Sequence, residues 1–268
     1  MEDWLGLAGR TVLVCGLSNR RSVAWAVGSR LEEAGARVLY SVRTAERREE
    51  LGKLLAGRPC YVCDVAEPEA AVRLAEQIPE AEGELAGLVH SIAFADFGGG
   101  VRPFHETERE AFLSSVQVSA FSLVELARAL RPRLARDASV VAMGISTTEL
   151  TAENYGYLAP IKGMLEANAR HLAKSFSAFS EVRFNTVNAG PLKTKSSAGI
   201  PGYLENYLYA EKLTLRKRAV TTGEVADAAV YLLSPRSSGI NGQGLVVNAG
   251  MDFNYFDREV VEKSLRGG

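Results

Sequence analysis

Short apolar runs alternate with helical patterns along almost the whole chain, and this alternation restricts the fold more than any other feature of the sequence. The apolar run at residues 11–15 is typical of a buried parallel strand. Residues 22–34 then carry Val23, Val27 and Leu31 at a spacing of four, which indicates a helix. The remaining strands are predicted at 37–42, 59–64, 87–91, 139–143, 182–188 and 244–248, and the remaining helices at 46–55, 67–77, 108–134 (with a break allowed), 155–176 and 221–233. Strands that alternate with helices form right-handed crossovers, so we expect a seven-stranded parallel sheet in a doubly wound α/β domain of the Rossmann type.

The chain shows no internal division. No linker and no shift in composition interrupts it, so we expect a single domain over residues 1–268. The stretch 195–218 differs from its surroundings because it is polar and aromatic, with Tyr203, Tyr207 and Tyr209. Since it lies between a predicted strand and a later helix, we expect it to form a flap over a site.

Charge and composition exclude several classes of partner. The formal net charge is -1, which gives no overall field that would attract nucleic acid or an acidic membrane. No apolar run is long enough to cross a bilayer. Cys15, Cys60 and Cys63 are most simply free thiols, which suit a reducing compartment. We therefore expect a cytoplasmic protein that binds no nucleic acid, no membrane and no metal ion.

The first strand-to-helix turn is a candidate phosphate site. In an open parallel sheet, ligands bind at the carboxyl ends of the strands. Here the first strand ends at Gly16, and a helix that begins near Ser22 would direct its backbone N–H groups and positive dipole end into the turn. The three-glycine dinucleotide pattern is absent, because Arg20 and Ser22 hold the second and third glycine positions. From the turn alone, a cofactor site and an ordinary connection are both open.

Tyr155 and Lys162 are a candidate catalytic pair. They are seven residues apart, close to two helical turns, so a helix beginning at or just after Tyr155 would place both side chains on one face. A phenol beside an ammonium group is a good donor to a developing oxyanion. The alternative is a packing tyrosine and a surface lysine that share this spacing by chance.

Several ordered segments resemble the enoyl-acyl-carrier-protein reductases, a family of the short-chain dehydrogenase/reductase superfamily. The matching segments are Gly16-x5-Ser22-Val-Ala-Trp25, His90-Ser-Ile-Ala-Phe-Ala95, Tyr155-x6-Lys162-x2-Leu165-Glu-Ala-Asn168, Asn188-Ala-Gly-Pro-Leu-Lys-Thr194, Ser197-Ala-Gly-Ile200 with Tyr203, and Ser238-Gly-Ile-Asn-Gly-Gln-Gly244. Together they cover roughly residues 5–251. The superfamily's more common Tyr-x3-Lys spacing is absent, because Leu158 stands four residues before Lys162.

The resemblance implies a reaction and the residues that perform it. Hydride would pass from a nicotinamide to the β-carbon of a trans-2-enoyl thioester, carried by acyl carrier protein or CoA in fatty acid biosynthesis. Tyr155 would hydrogen-bond the thioester oxygen as it becomes an enolate, and Lys162 would bind the nicotinamide ribose. The Leu192 backbone would meet the carboxamide, and Thr194 the pyrophosphate. Other implied positions are Gly16, Ser22, Val23, Asp64, Val65, Ser91, Ile92, Ala93, Gly190 and Pro191 for the cofactor, and Phe94, Ala95, Ala198, Ile200 and Tyr203 for the substrate. A homotetramer with the helices at 108–134 and 155–176 in its interface is implied as well.

The end of the second strand bears on the choice of cofactor. NAD sites often place an acid there, to bond the ribose diol. In this chain Arg43 follows the strand and no acid occurs before Glu46. The planar guanidinium of Arg43 is suited to a 2′-phosphate, so we expect NADPH, with NADH also possible. The alternative is that Arg43 is a solvated charge.

Some positions depart from the family pattern. Ile145 stands where many members have a second tyrosine, and Pro160 interrupts the predicted catalytic helix. Ala142 occupies the position of the serine with which related ketoreductases polarise a ketone, which favours reduction of a carbon–carbon double bond. We expect His90 to be a strand histidine with a satisfied ring. Two other functions stay open: a short-chain reductase that acts on a ketone or a secondary metabolite, and a nucleotide-binding relative without catalysis.

Overall fold

One parallel sheet forms the centre of the molecule. The computed structural model describes residues 3–97, 100, 102–146, 148–149, 151, 155–195 and 197–266, except for the side chains of 260, 263, 264 and 266. Within these residues the strands are β1 (Thr11–Cys15), β2 (Arg37–Val42), β3 (Cys60–Val62), β4 (Leu85–His90), β5 (Leu134–Ile145), β6 (Arg183–Ala189) and β7 (Gly244–Val247). They form a seven-stranded sheet in the order β3-β2-β1-β4-β5-β6-β7, with every pair parallel. The predicted fold class is confirmed.

Helices cover both faces of the sheet. They are α1 (Val23–Glu33), α2 (Ala45–Glu50), α3 (Gly52–Leu55), α4 (Ala70–Gln77), α5 (Arg109–Val116), α6 (Ser122–Leu130), α7 (Leu158–Phe176), α8 (Tyr203–Leu213), α9 (Thr222–Leu233) and α10 (Arg258–Arg266). Alternate strand residues supply the two cores: Leu13 and Leu88 pack into one, Val12 and Val89 into the other. The strand order reverses between β1 and β4, so the crevice at their carboxyl ends is the expected ligand site.

The long helix predicted at 108–134 is interrupted. A π-helical segment, Gln117–Phe121, separates α5 from α6, and β5 already begins at Leu134. Such segments are rare and are frequently found at functional sites. The interruption faces the crevice, because Gln117 and Val118 line the cavity described below.

The helix predicted from Tyr155 begins later than expected. Gly156 has a left-handed φ of 52°, so a right-handed helix cannot pass through it, and α7 starts at Leu158. The helix predicted over residues 155–176 is therefore three residues shorter at its start, and Tyr155 lies in the turn before α7. Pro160 lies in that first turn, where backbone N–H groups have no partner within the helix, so it breaks no helical hydrogen bond.

Among the described residues, no helix has both the length and the apolar character needed to cross a bilayer.

Candidate active site

Gly16 closes the turn between β1 and α1. Its φ is 90°, in the left-handed region that favours glycine. A Cβ atom at this position would lie 2.2 Å from the carbonyl oxygen of Ser91, which follows β4. The glycine therefore allows two strand ends to approach each other at the crevice, and any side chain would separate them.

Ser22 caps the helix that points into this turn. Its hydroxyl accepts a hydrogen bond from the backbone N–H of Trp25 at 3.2 Å and donates one to the carbonyl of Asn19 at 2.7 Å. By helix geometry the N–H groups of Val23 and Ala24 have no acceptor within the helix. Unpaired N–H groups together with the positive dipole end form a site for a phosphate group.

A cavity of about 570 Å³ opens at the carboxyl ends of the central strands. It brings together twelve of the residues that the sequence assigned to cofactor or substrate: Gly16, Ser22, Val23, Arg43, Asp64, Val65, Ser91, Ile92, Ala93, Phe94, Lys162 and Thr194. They come from distant stretches of the sequence, which the sheet topology together with α1 and α7 brings to one edge of the sheet. A cavity of this size at the strand ends, with a helix N-terminus on its wall, is suited to a dinucleotide.

Arg43 and Asp64 lie together at one end of this cavity. The Arg43 Nε donates to an Asp64 carboxylate oxygen at 2.8 Å. Arg47 also lines the cavity and is paired with Glu50 at 2.6 Å. The terminal NH₂ groups of Arg43 have no partner among the described residues and remain available to an anion, while Asp64 holds the guanidinium in place.

Lys162 is a buried cation in the cavity wall. Its side chain comes from α7 and the residue is only 4% exposed. The ammonium donates to the carbonyl of Met143 at 2.8 Å and lies 3.5 Å from that of Ile92. Burial lowers the pKa of Lys162 to about 8, so the group remains mainly protonated at neutral pH.

Tyr155 is partly buried in the turn before α7. Burial raises the pKa of the Tyr155 phenol, and the neighbouring Tyr203 raises it further. The phenol therefore keeps its proton at neutral pH and can act as a donor. Tyr155 does not line the 570 Å³ cavity; it lies near Tyr203, in the stretch that the sequence predicted as a flap.

Three predicted cofactor residues after β6 do not line the cavity. Gly190 and Pro191 pack near Asn248, in the turn after β7. Leu192 is buried, and its backbone N–H and C=O both bond to the Tyr203 hydroxyl, at 2.8 and 2.9 Å.

The predicted substrate residues are divided between two places. Ala95 packs against the core, near the end of β4. Ala198, Ile200 and Tyr203 line a second, more open groove of about 920 Å³, which shares Thr194 with the first cavity.

The same groove is lined by four cations and one acid, Glu205, and we call it the basic groove. The cations are Arg20, Arg21, Lys193 and Lys195. No carboxylate in the described part of the chain pairs with these cations.

The sequence did not reveal the serines that support the site from the π-helical segment. The Ser119 hydroxyl accepts from the Phe94 N–H and donates to the Phe94 C=O, both at 2.8 Å. Ser119 thereby fixes the loop after β4. The only signal available was a pair of serines, Ser119 and Ser122, in an otherwise apolar helical stretch.

His90 is only half satisfied, contrary to expectation. The Ser122 hydroxyl donates to the Val118 carbonyl at 2.7 Å, so its oxygen accepts the Nε2–H of His90 at 2.8 Å. The Nδ1 atom is buried without a partner among the described residues. Burial and the nearby charge of Lys162 lower the pKa of His90 to about 3, so its ring is neutral.

The chain is similar to known proteins over almost its whole length. A family model described as enoyl-(acyl carrier protein) reductase matches residues 16–252. A relative from Staphylococcus aureus (strain MRSA252), named enoyl-acyl-carrier-protein reductase (NADPH) FabI, is 34% identical over 251 residues, which cover 92% of this chain and 98% of the relative. The corresponding Bacillus subtilis (strain 168) protein, named for NADH, is 33% identical over 253 residues and covers 91% and 96%. The crystal structure of the Aquifex aeolicus enoyl-acyl-carrier-protein reductase (NADH) matches with a TM-score of 0.88 at 27% identity, covering 94% of this chain and 99% of that one. The resemblance found in the sequence motifs is confirmed.

Proposed function

The chain belongs to the enoyl-acyl-carrier-protein reductase family, and we propose that it reduces the carbon–carbon double bond of a trans-2-enoyl thioester with NAD(P)H in fatty acid biosynthesis. The observation that carries this proposal is the buried ammonium of Lys162 in the wall of a cavity that is also lined by the N-terminus of α1. That combination suits a dinucleotide with its phosphates at one wall and its reactive end near a fixed positive charge.

The residues present fit the cofactor. Because Gly16 has no side chain, the turn beside Ser91 is lined by backbone and can accept a phosphate group. The first N–H groups of α1 also have no acceptor within the helix. We assign the pyrophosphate to Ser22, Val23 and Thr194. The adenine end then falls to Asp64 and Val65, and the ribose and nicotinamide to the loop at Ser91, Ile92 and Ala93 with Lys162 and the 190–192 backbone. When bound, the dinucleotide supplies the hydride.

Tyr155 and Lys162 would handle the charge that develops on the substrate. As the β-carbon gains hydride, negative charge collects on the thioester oxygen, and the protonated phenol of Tyr155 donates a hydrogen bond to this enolate. A proton then reaches the α-carbon, which discharges the enolate and completes the reduction of the double bond. The Lys162 ammonium orients the ribose hydroxyls and stabilises the same charge at longer range. Ala142, buried at the carboxyl end of β5, offers no hydroxyl with which to polarise a ketone. The substrate segment would run past Phe94 and Ala95 and under the flap at Ala198, Ile200 and Tyr203.

NADPH is the cofactor that we assign. Arg43 lies directly after β2 with terminal NH₂ groups available, and Asp64, the one acid among the described residues that line the cavity, is engaged with its Nε. A bidentate guanidinium suits a 2′-phosphate better than a ribose diol. Relatives named for NADPH and for NADH are both similar to this chain, so the ratio of the two Kd values for wild type and Arg43→Leu is the direct test. We expect Arg43→Leu to weaken NADPH binding about tenfold and to leave NADH binding unchanged.

Acyl carrier protein is the thioester carrier that we propose, with CoA as the alternative. The basic groove is lined by Arg20, Arg21, Lys193 and Lys195 and lies beside the flap residues assigned to substrate. Both carriers present the acyl chain on an anionic phosphopantetheine arm, which such a groove attracts. An acidic carrier domain would add further attraction.

We propose a homotetramer in the cytoplasm. Large apolar side chains are exposed on the two helical regions expected at the interface: Leu113 is 56% and Phe121 49% exposed, and Met164 on α7 is 38% exposed. The three cysteines are free, as suits a reducing compartment. Light scattering of the purified chain tests the assembly, and a monomeric mass would contradict it.

The central experiment follows NADPH oxidation with enoyl thioesters of increasing chain length and, in parallel, with β-keto thioesters. We expect turnover of the enoyl substrates alone, and a loss of about 100-fold or more in kcat for Tyr155→Phe. Tyr209→Phe, an exposed tyrosine on α8, is the matched control and should retain wild-type rates. Turnover of keto substrates alone would indicate a different short-chain reductase, and cofactor binding without any turnover would indicate a non-catalytic relative.

A further inference from the structure

The Tyr203 hydroxyl forms an unusual pair of hydrogen bonds with a single residue. It accepts the backbone N–H of Leu192 at 2.8 Å and donates to the backbone C=O of Leu192 at 2.9 Å. Tyr203 is the first residue of α8, within the flap, whereas Leu192 follows the end of β6. The same carbonyl also accepts from the Ser197 hydroxyl at 2.7 Å, which secures the start of the flap. One side chain thus closes the flap onto the strand end.

This arrangement matches the chemistry of a primary amide. A carboxamide has one oxygen that accepts and one NH₂ group that donates, so it also satisfies an N–H and a C=O from one residue. A backbone N–H carries a single hydrogen and cannot serve both partners with good geometry. The Tyr203 hydroxyl and a nicotinamide carboxamide are therefore alternatives at Leu192.

We propose that the Tyr203 hydroxyl occupies the position of the nicotinamide carboxamide at Leu192, an inference that rests on the proposed cofactor site. The hydroxyl must then leave before the nicotinamide binds. Tyr203 is thus the residue that limits affinity for the nicotinamide half of the cofactor. Tyr203 lines the open basic groove, so the displaced side chain has space to enter. It also lies beside Tyr155, so its displacement changes the surroundings of the phenol that we assign to the substrate.

The adenine half of the cofactor does not meet this obstacle. The residues assigned to it, Arg43, Asp64 and Val65, lie in the turns that follow β2 and β3, and none contacts Tyr203 through a hydrogen bond. A ligand that contains only the adenine half, such as 2′,5′-ADP, should therefore bind without moving Tyr203. This difference separates the proposal from a general effect of the flap on binding.

The test compares Tyr203→Phe with wild type in fluorescence titrations of NADPH and of 2′,5′-ADP. We expect the variant to bind NADPH about fivefold more tightly, because the competing hydrogen bonds are gone, and to bind 2′,5′-ADP as wild type does. Tyr209→Phe, on the same helix and 56% exposed, should change neither constant. Unchanged or weaker NADPH binding by Tyr203→Phe, or an equal change for 2′,5′-ADP, would overturn the proposal.

A second measurement needs no variant. Nitration of tyrosines in the wild-type chain, followed by peptide mapping, reports whether the Tyr203 phenol becomes accessible. We expect NADPH to accelerate nitration of Tyr203 and 2′,5′-ADP to leave its rate unchanged; protection of Tyr203 by NADPH would overturn the proposal. Both experiments measure binding rather than turnover. An enzyme that failed to reduce enoyl thioesters would therefore contradict the proposed function without affecting this result.

Discussion

Replacing Lys162 with methionine should remove activity and at the same time stabilise the fold. Burial lowers the pKa of Lys162 from 10.5 to about 8. Each pKa unit corresponds to about 1.36 kcal/mol, so the charged lysine at pH 7 destabilises the folded state by about 3 kcal/mol. Methionine fills a similar volume without a charge but leaves the Met143 carbonyl without its donor, which costs about 1 kcal/mol. The net gain of about 2 kcal/mol should raise Tm by about 5 °C.

The pH dependence of this gain provides the stricter check. Below about pH 8 both the folded and the unfolded wild type hold the lysine proton, and the penalty is present in full. Between about pH 8 and 10.5 only the unfolded chain holds it, so the free energy of unfolding of the wild type rises with pH and the advantage of Lys162→Met disappears.

Thermal melts followed by circular dichroism at pH 7 and at higher pH measure this difference. Lys174→Met, an exposed lysine on the same helix, is the control and should shift Tm little at any pH. Activity of Lys162→Met should fall about 100-fold or more at pH 7. A variant that melts several degrees below wild type, or a stability difference that does not change with pH, would refute the reasoning.

Three further substitutions test separate parts of the site. Gly16→Ala would place a methyl group 2.2 Å from a backbone carbonyl oxygen. We therefore expect the free energy of unfolding, measured by denaturant melts, to fall by about 3 kcal/mol, and cofactor binding to be lost. An alanine variant with a normal melt would contradict this. Ser119→Ala removes both hydrogen bonds to the Phe94 backbone, and steady-state kinetics should show KM for the enoyl thioester raised about tenfold with kcat less affected. Arg20→Glu in the basic groove should raise KM for a carrier-protein thioester about tenfold and leave KM for an N-acetylcysteamine thioester unchanged. The control Lys53→Glu, on α3, should change neither KM. Equal effects of Arg20→Glu on both substrates would argue against a phosphopantetheine site.

The sheet and the cofactor cavity could be predicted because both follow from local patterns. Apolar runs that alternate with helical periods leave few topologies, and in a parallel sheet every strand end that follows such a run lies on the same edge. Gly16, Asp64 and Ser91 are far apart in the sequence, yet Gly16 directly follows a predicted strand, Asp64 and Ser91 end predicted strands, and all three line the cavity. The rule needed only the strand boundaries, which were correct to within a few residues at the carboxyl ends.

The rest of the site depends on features that periodicity does not carry. The start of α7 was misplaced because the conformation of Gly156, rather than a capping residue, decides where the helix begins. Glycine adopts left-handed and right-handed φ values about equally well, so the sequence does not reveal which one it takes here. The π-helical segment keeps the residue composition of an α-helix, so nothing in the spacing locates it. The contact of Tyr203 with Leu192 joins a flap to a strand end through a hydroxyl group, and a single sequence gives no sign of such a pairing.

The way in which the fold holds the Lys162 charge is itself an argument for its assigned role. Among the described residues no carboxylate pairs with Lys162; backbone carbonyls of Met143 and Ile92 hold the ammonium instead. A salt bridge would have cancelled most of its field, whereas neutral carbonyl dipoles orient the group and leave the net charge in place. His90, the titratable group whose pKa this charge lowers, is kept neutral and so does not oppose it. A buried charge that costs about 3 kcal/mol and is left without a counterion is difficult to explain as packing, and it is what stabilisation of an enolate and orientation of a ribose require.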